Sequence, residues 1–189
     1  MITIHSRISP AQVIGDILTN HLRVVEGDGE LYEAAKGCVS SAIAAAETYT
    51  NRVLVDSTVT ISFDKIENRL IELPTAPIRE ITEVRYYGVD GAWHTVEGYT
   101  LVSNAQRAML ELREIPAIDA SRLLNVFEIS AAVGFEDGAM PDDIIAALKL
   151  MSATLLDNPA DNVTGTIATE LPMNAKMLLT PYRITPYGL

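Results

Sequence analysis

The chain has 189 residues, 48% of them apolar and 21% charged, the composition of one globular domain with room for an insert and not of a disordered chain. Twenty-five acids against fourteen bases leave a net charge of −11, which excludes a protein that grips the nucleic-acid backbone over a broad basic surface. One cysteine, Cys38, excludes an internal disulfide and every two-cysteine metal motif, and no apolar run approaches the roughly 20 residues needed to cross a bilayer. Met1 to Pro10 lack the apolar stretch of a secretory signal, so the expectation is a soluble acidic protein made in the cytosol.

Ser9-Pro10-Ala11-Gln12 predicts a helix start, with Ser9 as N-cap and Gln12 closing a capping box. Ile14, Ile17, Leu18 and Leu22 recur at helical spacing, and this helix ends near His21. Glu26 to Glu30 reads as a loop in which Asp28 can cap the next helix. That second helix, Glu30 to Thr50, is the best-marked element. Leu31, Ala35, Cys38, Ala42, Ala45 and Tyr49 advance by 4, 3, 4, 3 and 4, predicting a narrow seam of mostly small residues. Helix-on-helix packing within one core is the ordinary reading of that stripe, and a seam between subunits is the other.

After Arg52 the period becomes two. Val59, Ile61 and Phe63 alternate with Thr58, Thr60 and Ser62, as a half-buried strand requires. Arg69 to Leu73 forms a short run stopped by Pro74 and Pro77, and Ile81 to Tyr87 with Ala92 to Val96 flank a hairpin turn at Asp90-Gly91. Tyr99 to Val102, Ala108 to Leu112 and Asn125 to Val133 complete six or seven strands with no useful helix between them, hence a mostly antiparallel sheet.

Helical spacing returns at Pro141, where Ile144, Leu148, Met151 and Leu155 repeat the 4, 3, 4 stripe and Asp142 and Asp143 favour the positive helix end. Pro159 marks the exit, Asn158 to Thr166 has loop composition, and a short helix is expected over Met173 to Leu179 before an extended tail from Thr180. The predicted fold class is therefore α+β: a helical layer from both chain ends, residues 1–52 and 135–189, with an inserted, mostly antiparallel β unit at 53–134.

Catalytic constellations do not emerge. His5, His21 and His94 are scattered without metal-ligand spacing, and no Walker loop, dinucleotide glycine pattern or nucleophile elbow occurs. Cys38 sits on the apolar seam, where cysteine acts as a small hydrophobe. Glu26-Gly27-Asp28-Gly29-Glu30 lacks the ligand order of a calcium loop, and capping with solvation accounts for Glu136-Asp137 and Asp142-Asp143. The excess of acids is spread along the chain: six acids to four bases over 1–52, twelve to seven over 53–134, and seven to three over 135–189. No aromatics are interleaved with arginine in sequence, the mark of a single-strand platform. The expectation is no enzyme, no cofactor and no metal.

Three stretches, in order, resemble the head–tail connector family of tailed bacteriophages, the head-completion or DNA-packaging adaptors. The first is the alanine-rich helix closing on Ala44-Ala45-Ala46-Glu47-Thr48-Tyr49-Thr50-Asn51-Arg52. The second is Ile71-Glu72-Leu73-Pro74-Thr75-Ala76-Pro77-Ile78, followed by Ile81, Val84, Tyr86 and the Asp90-Gly91 turn. The third is Gly165 to Pro172 continuing into Leu178-Leu179-Thr180-Pro181-Tyr182-Arg183, and Ala132-Val133-Gly134-Phe135 before Pro141 also fits the order. Asn51 stands where a glycine is common, which left-handed helix-end geometry tolerates, and Asp157-Asn158-Pro159 replaces a more usual acidic-asparagine-arginine ending.

The resemblance implies a structural protein of a phage, prophage or gene transfer agent virion, made in the host cytoplasm and placed at the head–tail junction. Implied partners are further copies in a ring, commonly dodecameric, the portal protein above, and the next neck or tail-terminator component below; DNA passes through without sequence-specific binding, and no membrane is involved. Within that frame Leu178, Leu179, Pro181, Tyr182 and Arg183 mix residue types enriched at binding hot spots and are the expected docking segment; packing of Leu178 and Leu179 on their own subunit is the other reading. Glu47, Tyr49 and Arg52 are the remaining interface candidates. Glu47 and Arg52, five apart, do not share a helical face, so Arg52 either caps the helix C-terminus or pairs across an interface. Alternatives are another neck or tail-completion protein, or a small-ligand-binding or enzymatic domain using the β unit.

Overall fold

A computed structural model describes residues 1–119, 121–158 and 171–184; the predicted exit at Pro159, most of the loop to Thr166, the motif residues 165–170 and the tail beyond Ile184 lie outside the described residues. The chain forms two compact units. One is a β unit made of Met1–Ser9, Arg52–Phe135 and the segment from Ile184, and the other is a helical unit made of Pro10–Asn51 and Glu136–Arg183. The α+β class and the insertion of strands between helical segments are as the periodicities predict.

Among the described residues the β unit holds eight strands, every pair antiparallel. They are β1 (Ile2–Arg7), β2 (Ser57–Phe63), β3 (Leu70–Glu72), β4 (Ile78–Tyr87), β5 (Trp93–Thr95), β6 (Tyr99–Ser103), β7 (Ala108–Leu112) and β8 (Phe127–Val133). Five form a sheet in the order β1-β2-β8-β4-β5, and three form a smaller sheet β3-β7-β6. β8 is central. Phe127, Ile129, Ala131 and Val133 alternate inward along it, and its register with β2 runs unbroken from Val133 opposite Ser57 to Phe127 opposite Phe63. One apolar cluster joins Ile61, Val84 and Ile129 to Ile71, Leu110 and Leu112 of the smaller sheet.

Strand β1 corrects the sequence reading, which assigned residues 1–52 to helices. It escapes a periodicity search because only Ile2 is half-buried while Thr3 to Arg7 are exposed. Main-chain pairing holds it on β2, with a register shift at His5, and the Met1 amino group donates to the Ser62 carbonyl at 2.7 Å. An edge strand without an inward face carries no alternation to detect.

In the helical unit, α1 (Ala11–Asp16) runs on as a π-helical turn, Ile17–Leu22, that ends at Arg23 in the left-handed region. Ser9 does not cap it. The Gln12 and Val13 amides donate instead to the Asp137 carboxylate at 2.8 and 3.3 Å, so a residue 125 positions away satisfies the orphan donors of the helix start. α2 spans Glu30–Thr50 as predicted, and Asn51 closes it at φ 53°. α3 (Asp142–Asp157) buries Ile144, Leu148 and Met151 and packs on α2, and α4 (Met173–Leu179) packs on α3.

The buried stripe of α2 differs from the predicted seam: Ala35, Val39, Ala42, Ile43, Ala46 and Thr50 are inside, while Leu31 is exposed and Cys38, Ala45 and Tyr49 are half-buried. Ala35 and Ala42 lie on both stripes, and the buried face is rotated from the predicted seam toward Val39, Ile43 and Ala46, where the larger aliphatic side chains of the middle of the helix stand.

Gly134 decides how the β unit closes. It sits at φ +82°, and a Cβ there would overlap the main-chain carbonyl of Val55 and stand 3.0 Å from the carbonyl oxygen of Leu54. Exposed Gly37, inside α2, has nothing within 4 Å of a built Cβ. We therefore expect Gly134→Ala to destabilise by about 2–4 kcal/mol through strain and overlap, whereas Gly37→Ala stabilises by about 0.5–1 kcal/mol. Denaturant unfolding of the two variants measures both, and equal effects would contradict the packing described.

Candidate assembly surface

Arg52 follows the left-handed Asn51 and turns inward, with only 4% of its surface exposed. Its guanidinium donates from Nη1 to the carbonyls of Ala76 (3.0 Å) and Ala105 (2.5 Å) and from Nη2 to that of Gln106 (3.1 Å). Ala105 and Gln106 form the β6–β7 turn, which Asn104 Oδ1 shapes by accepting from the Gln106 and Arg107 amides. Ala76 belongs to the β3–β4 link. Arg52 is thus a bracket between two loops of its own unit, and a side chain so enclosed is not available to a neighbouring subunit.

The same place gathers the other motif residues. The Val53 amide donates to Thr75 Oγ1 at 3.2 Å, the Gly134 amide to the Pro77 carbonyl at 3.0 Å, and the Phe135 amide to the Leu54 carbonyl at 2.8 Å. Leu73, Thr75 and Ala76 are buried there. The stretches around Arg52, Pro74–Pro77 and Gly134 therefore form one junction that holds the start and finish of the β unit together. Removing Arg52 strands three carbonyls, each worth about 1–3 kcal/mol if left unpaired and dry. Arg52→Ala should lower stability by about 2–5 kcal/mol, and Arg52→Lys should recover only part, because a point charge cannot reproduce the planar fork. Unfolding midpoints of the two variants test this.

The C-terminal candidates divide. Leu179 and Tyr182 are buried in the helical unit and Leu178 is half-buried, whereas Pro181 and Arg183 are exposed. Thr180 to Tyr182 form a 3-10 turn rather than the start of an extended tail; the apolar value of Leu179 and Tyr182 is realised on their own chain, which is why they cannot serve as outward anchors. Tyr49, half-buried like Glu47 on α2, meets this turn. Thr180 Oγ1 donates to the Lys176 carbonyl at 2.7 Å, so Tyr49 Oη donates to it at 3.0 Å. The Arg183 guanidinium lies 5.4 Å from the Tyr49 ring centroid, a cation–π contact. The structure thus brings Tyr49 together with Thr180 and Arg183 in the helical unit, while Arg52 belongs to the β unit. Tyr182→Ala should cost about 3–5 kcal/mol, while Arg183→Glu should leave stability within about 0.5 kcal/mol; calorimetric melting separates the two.

Two surface features escaped the sequence reading. Met173 and Met177, 79% and 70% exposed, stand one turn apart on α4; their i, i+4 spacing was the available signal. On the β unit, Arg85 donates from Nε and Nη2 to Glu128 Oε2 at 2.8 and 2.6 Å and lies 4.8 Å from the Trp93 ring, on which Tyr87 packs edge-on. Arg122, from a loop 29 residues beyond Trp93, covers both rings. The arginine–aromatic cluster that the linear sequence lacks is therefore assembled by the fold. Beside it lies an open groove of about 700 Å³.

The titratable groups serve structure. Hydrogen bonds from Lys149 and Asn20 hold the Asp16 carboxyl below its ordinary range, and His94 does the same for Asp90 in the hairpin turn. Burial pushes the Cys38 thiol up, away from the reactive thiolate. Among the described residues no three His, Cys, Asp or Glu side chains are gathered as a metal ion requires, and no helix is long and apolar enough to cross a membrane.

No protein-family model and no curated protein sequence matches the chain. Solved structures do. A chain in the virion of a native gene transfer agent particle superposes with a TM-score of 0.74 at 21% identity, covering 98% of this chain and 96% of that one. Chains from the neck of the empty particle, computed with C6 symmetry, and from the neck of the native particle, computed with C12 symmetry, give TM-scores of 0.72 and 0.69 at the same identity and coverage. At that identity the likeness establishes the fold: both units follow a chain of that particle from end to end.

Proposed function

We propose that the chain is a head–tail connector, a structural adaptor of a tailed phage, prophage or gene transfer agent that forms a ring between portal and tail and continues the DNA channel. The observation that carries this reading is the full-length likeness to chains of a gene transfer agent virion and neck, the latter computed with C6 and C12 symmetry. It agrees with the motif resemblance, which was drawn from different information. The role needs no chemistry: the subunit binds copies of itself, the portal and the next neck or tail-terminator component, without cofactor.

Charge supports passage of DNA without capture. Each Lys or Arg contact to phosphate is an attachment that would slow the genome. The two segments of the helical unit carry thirteen acids to five bases, and those of the β unit twelve to nine. Repulsion from such a wall reaches only about 8 Å at physiological salt, enough to line a channel and too short to bar it. The exposed candidates for docking are Pro181 and Arg183, and Leu178, Tyr49 and Glu47 are half-buried.

Native mass spectrometry and negative-stain microscopy of the protein, alone and mixed with its cognate portal, test the reading. The expected outcome is a closed ring, of twelve copies where the family's common form holds, seated on the portal. Arg183→Glu, Pro181→Gly should weaken portal attachment on the order of tenfold without shifting the melting temperature. A protein that stays monomeric on the portal, or that joins only the tail tube, would replace this reading with that of another neck or tail-completion protein.

A further inference from the structure

The geometry points to one joint between neighbouring copies: edge strand β1 of one copy adds to edge strand β5 of the next, so that the five-stranded sheet continues from subunit to subunit. This rests on the ring reading above and adds the contact that builds it. β1 and β5 are the two edges of that sheet. At β1 the Met1 amino group donates to the Ser62 carbonyl, and the Ser62 amide donates back to the Met1 carbonyl. Bonded pairs alternate along an antiparallel ladder, so Met1 and Thr3 turn their main-chain groups to β2 while Ile2 and Ile4 turn theirs outward. At β5 the Gly88 amide donates to the Ala92 carbonyl and the Val96 amide to the Val84 carbonyl. By the same alternation Trp93 and Thr95 face outward. Among the described residues nothing pairs with these outward groups, and such an edge is a template for another strand.

Symmetry fixes the direction of the joint. Five antiparallel strands are an odd number, so β1 and β5 run the same way. The small rotation between neighbours of a sixfold or twelvefold ring cannot reverse a strand, and the joined edges therefore pair parallel. The slanted bonds of a parallel pair then place Ile4 opposite His94. In that register the Ile4 amide meets the Trp93 carbonyl, the Thr95 amide the Ile4 carbonyl, and the Trp93 amide the Ile2 carbonyl. The side-chain faces agree. Ile2 and Ile4 stand opposite the buried Ile61 and Val59, and His94 stands opposite Tyr86, which packs on the same core. Ile4 is 43% exposed at its edge. His5, bonded to Thr60 Oγ1, falls on the outer face with Thr95.

Charge favours these two edges. Residues 1–9 carry Arg7 and no acid, whereas residues 88–97 carry Asp90 and Glu97 and no Lys or Arg. Asp90 is taken by His94, but exposed Glu97 makes no ion pair among the described residues. The register sets exposed Arg7 alongside it. Beside the edges of the smaller sheet, Arg69 pairs with Glu111 and Arg107 with Glu72 inside the chain, so those charges select no partner. Net charge agrees: the stretches of the β unit sum to −3 and those of the helical unit to −8, and a contact confined to two β units repels least. Joining unlike edges is head-to-tail and closes around an axis, where joining like edges would stop at a dimer.

Two full-length variants test the joint in a Cys38→Ser background, one carrying His5→Cys and the other Thr95→Cys. Mixed with the cognate portal under mild oxidation, they should give the mixed disulfide in excess over either like pair. Adding Glu97→Arg to the second variant should lower its yield about tenfold, and adding Arg7→Glu to the first should restore it. Thr95→Pro removes an amide that faces outward; it should abolish the ring and leave the circular dichroism of the subunit unchanged. A closed ring by native mass spectrometry without the mixed disulfide, or one that survives Thr95→Pro, overturns the joint and leaves the ring reading standing. The mixed disulfide in open chains that never close supports the joint and counts against the ring. Like-pair disulfides alone, or monomer throughout, overturn the joint.

Discussion

The fold depends on one buried junction in which a guanidinium and a glycine hold three stretches of main chain together. Arg52 satisfies the carbonyls of Ala76, Ala105 and Gln106, and Gly134 lets the strand end pass against Val55 closely enough for the Phe135 amide to reach Leu54. An insertion of this size must return to where it began, or the helical segments on either side of it could not belong to one unit. Loop-closure entropy opposes that return, and a set of buried hydrogen bonds that only arginine and glycine can make offsets it. Neither residue can be exchanged for a near relative: lysine lacks the fork, and any side chain at position 134 meets backbone.

This explains why the residues that looked most like a signature turn out to be architectural. The Tyr49–Arg52, Leu73–Ile78 and Ala132–Phe135 stretches were legible in sequence because each mixes glycine, proline or arginine with apolar residues in a fixed order. What they specify is the closure of the β unit, with Tyr49 alone facing the C-terminal turn. A motif of this kind identifies a fold more securely than a binding surface, since its members are fixed by geometry inside one chain.

Elements with their own periodicity were legible to within a few residues. α2 and its left-handed Asn51 end, α3, α4, the Asp90-Gly91 hairpin and the alternation of β2 and β8 all follow from local pattern. Features contributed by distant segments were not. Asp137 caps α1 from 125 residues away, β1 pairs without an inward face, and Arg122 joins Trp93 and Tyr87 only once a loop folds back. Position alone also misled at the C-terminus, where Leu179 and Tyr182 have the composition of a docking peptide but are consumed by their own core. A short apolar segment followed by a basic residue reads alike whether its partner is the same chain or another one.

The division of labour between the two units follows from these observations. The β unit concentrates its arginines, and every one with a described side-chain hydrogen bond is occupied by carbonyls or carboxylates, as with Arg52, Arg69, Arg79, Arg85, Arg107 and Arg122. Arg122 differs in that its guanidinium lies against two aromatic rings, those of Tyr87 and Trp93. The helical unit, with thirteen acids to five bases along its segments, holds most of its carboxylates in solvent. With both units net negative, copies of such a chain repel one another, least where two β units meet and most where two helical units do. In the ring proposed above, head-to-tail joining therefore has to come from local complementarity of the two surfaces, because net charge alone disfavours a helical unit against a β unit relative to β unit against β unit. Screening weakens that repulsion, so assembly into the proposed ring should strengthen as ionic strength rises from low salt, which sedimentation velocity across a salt series measures.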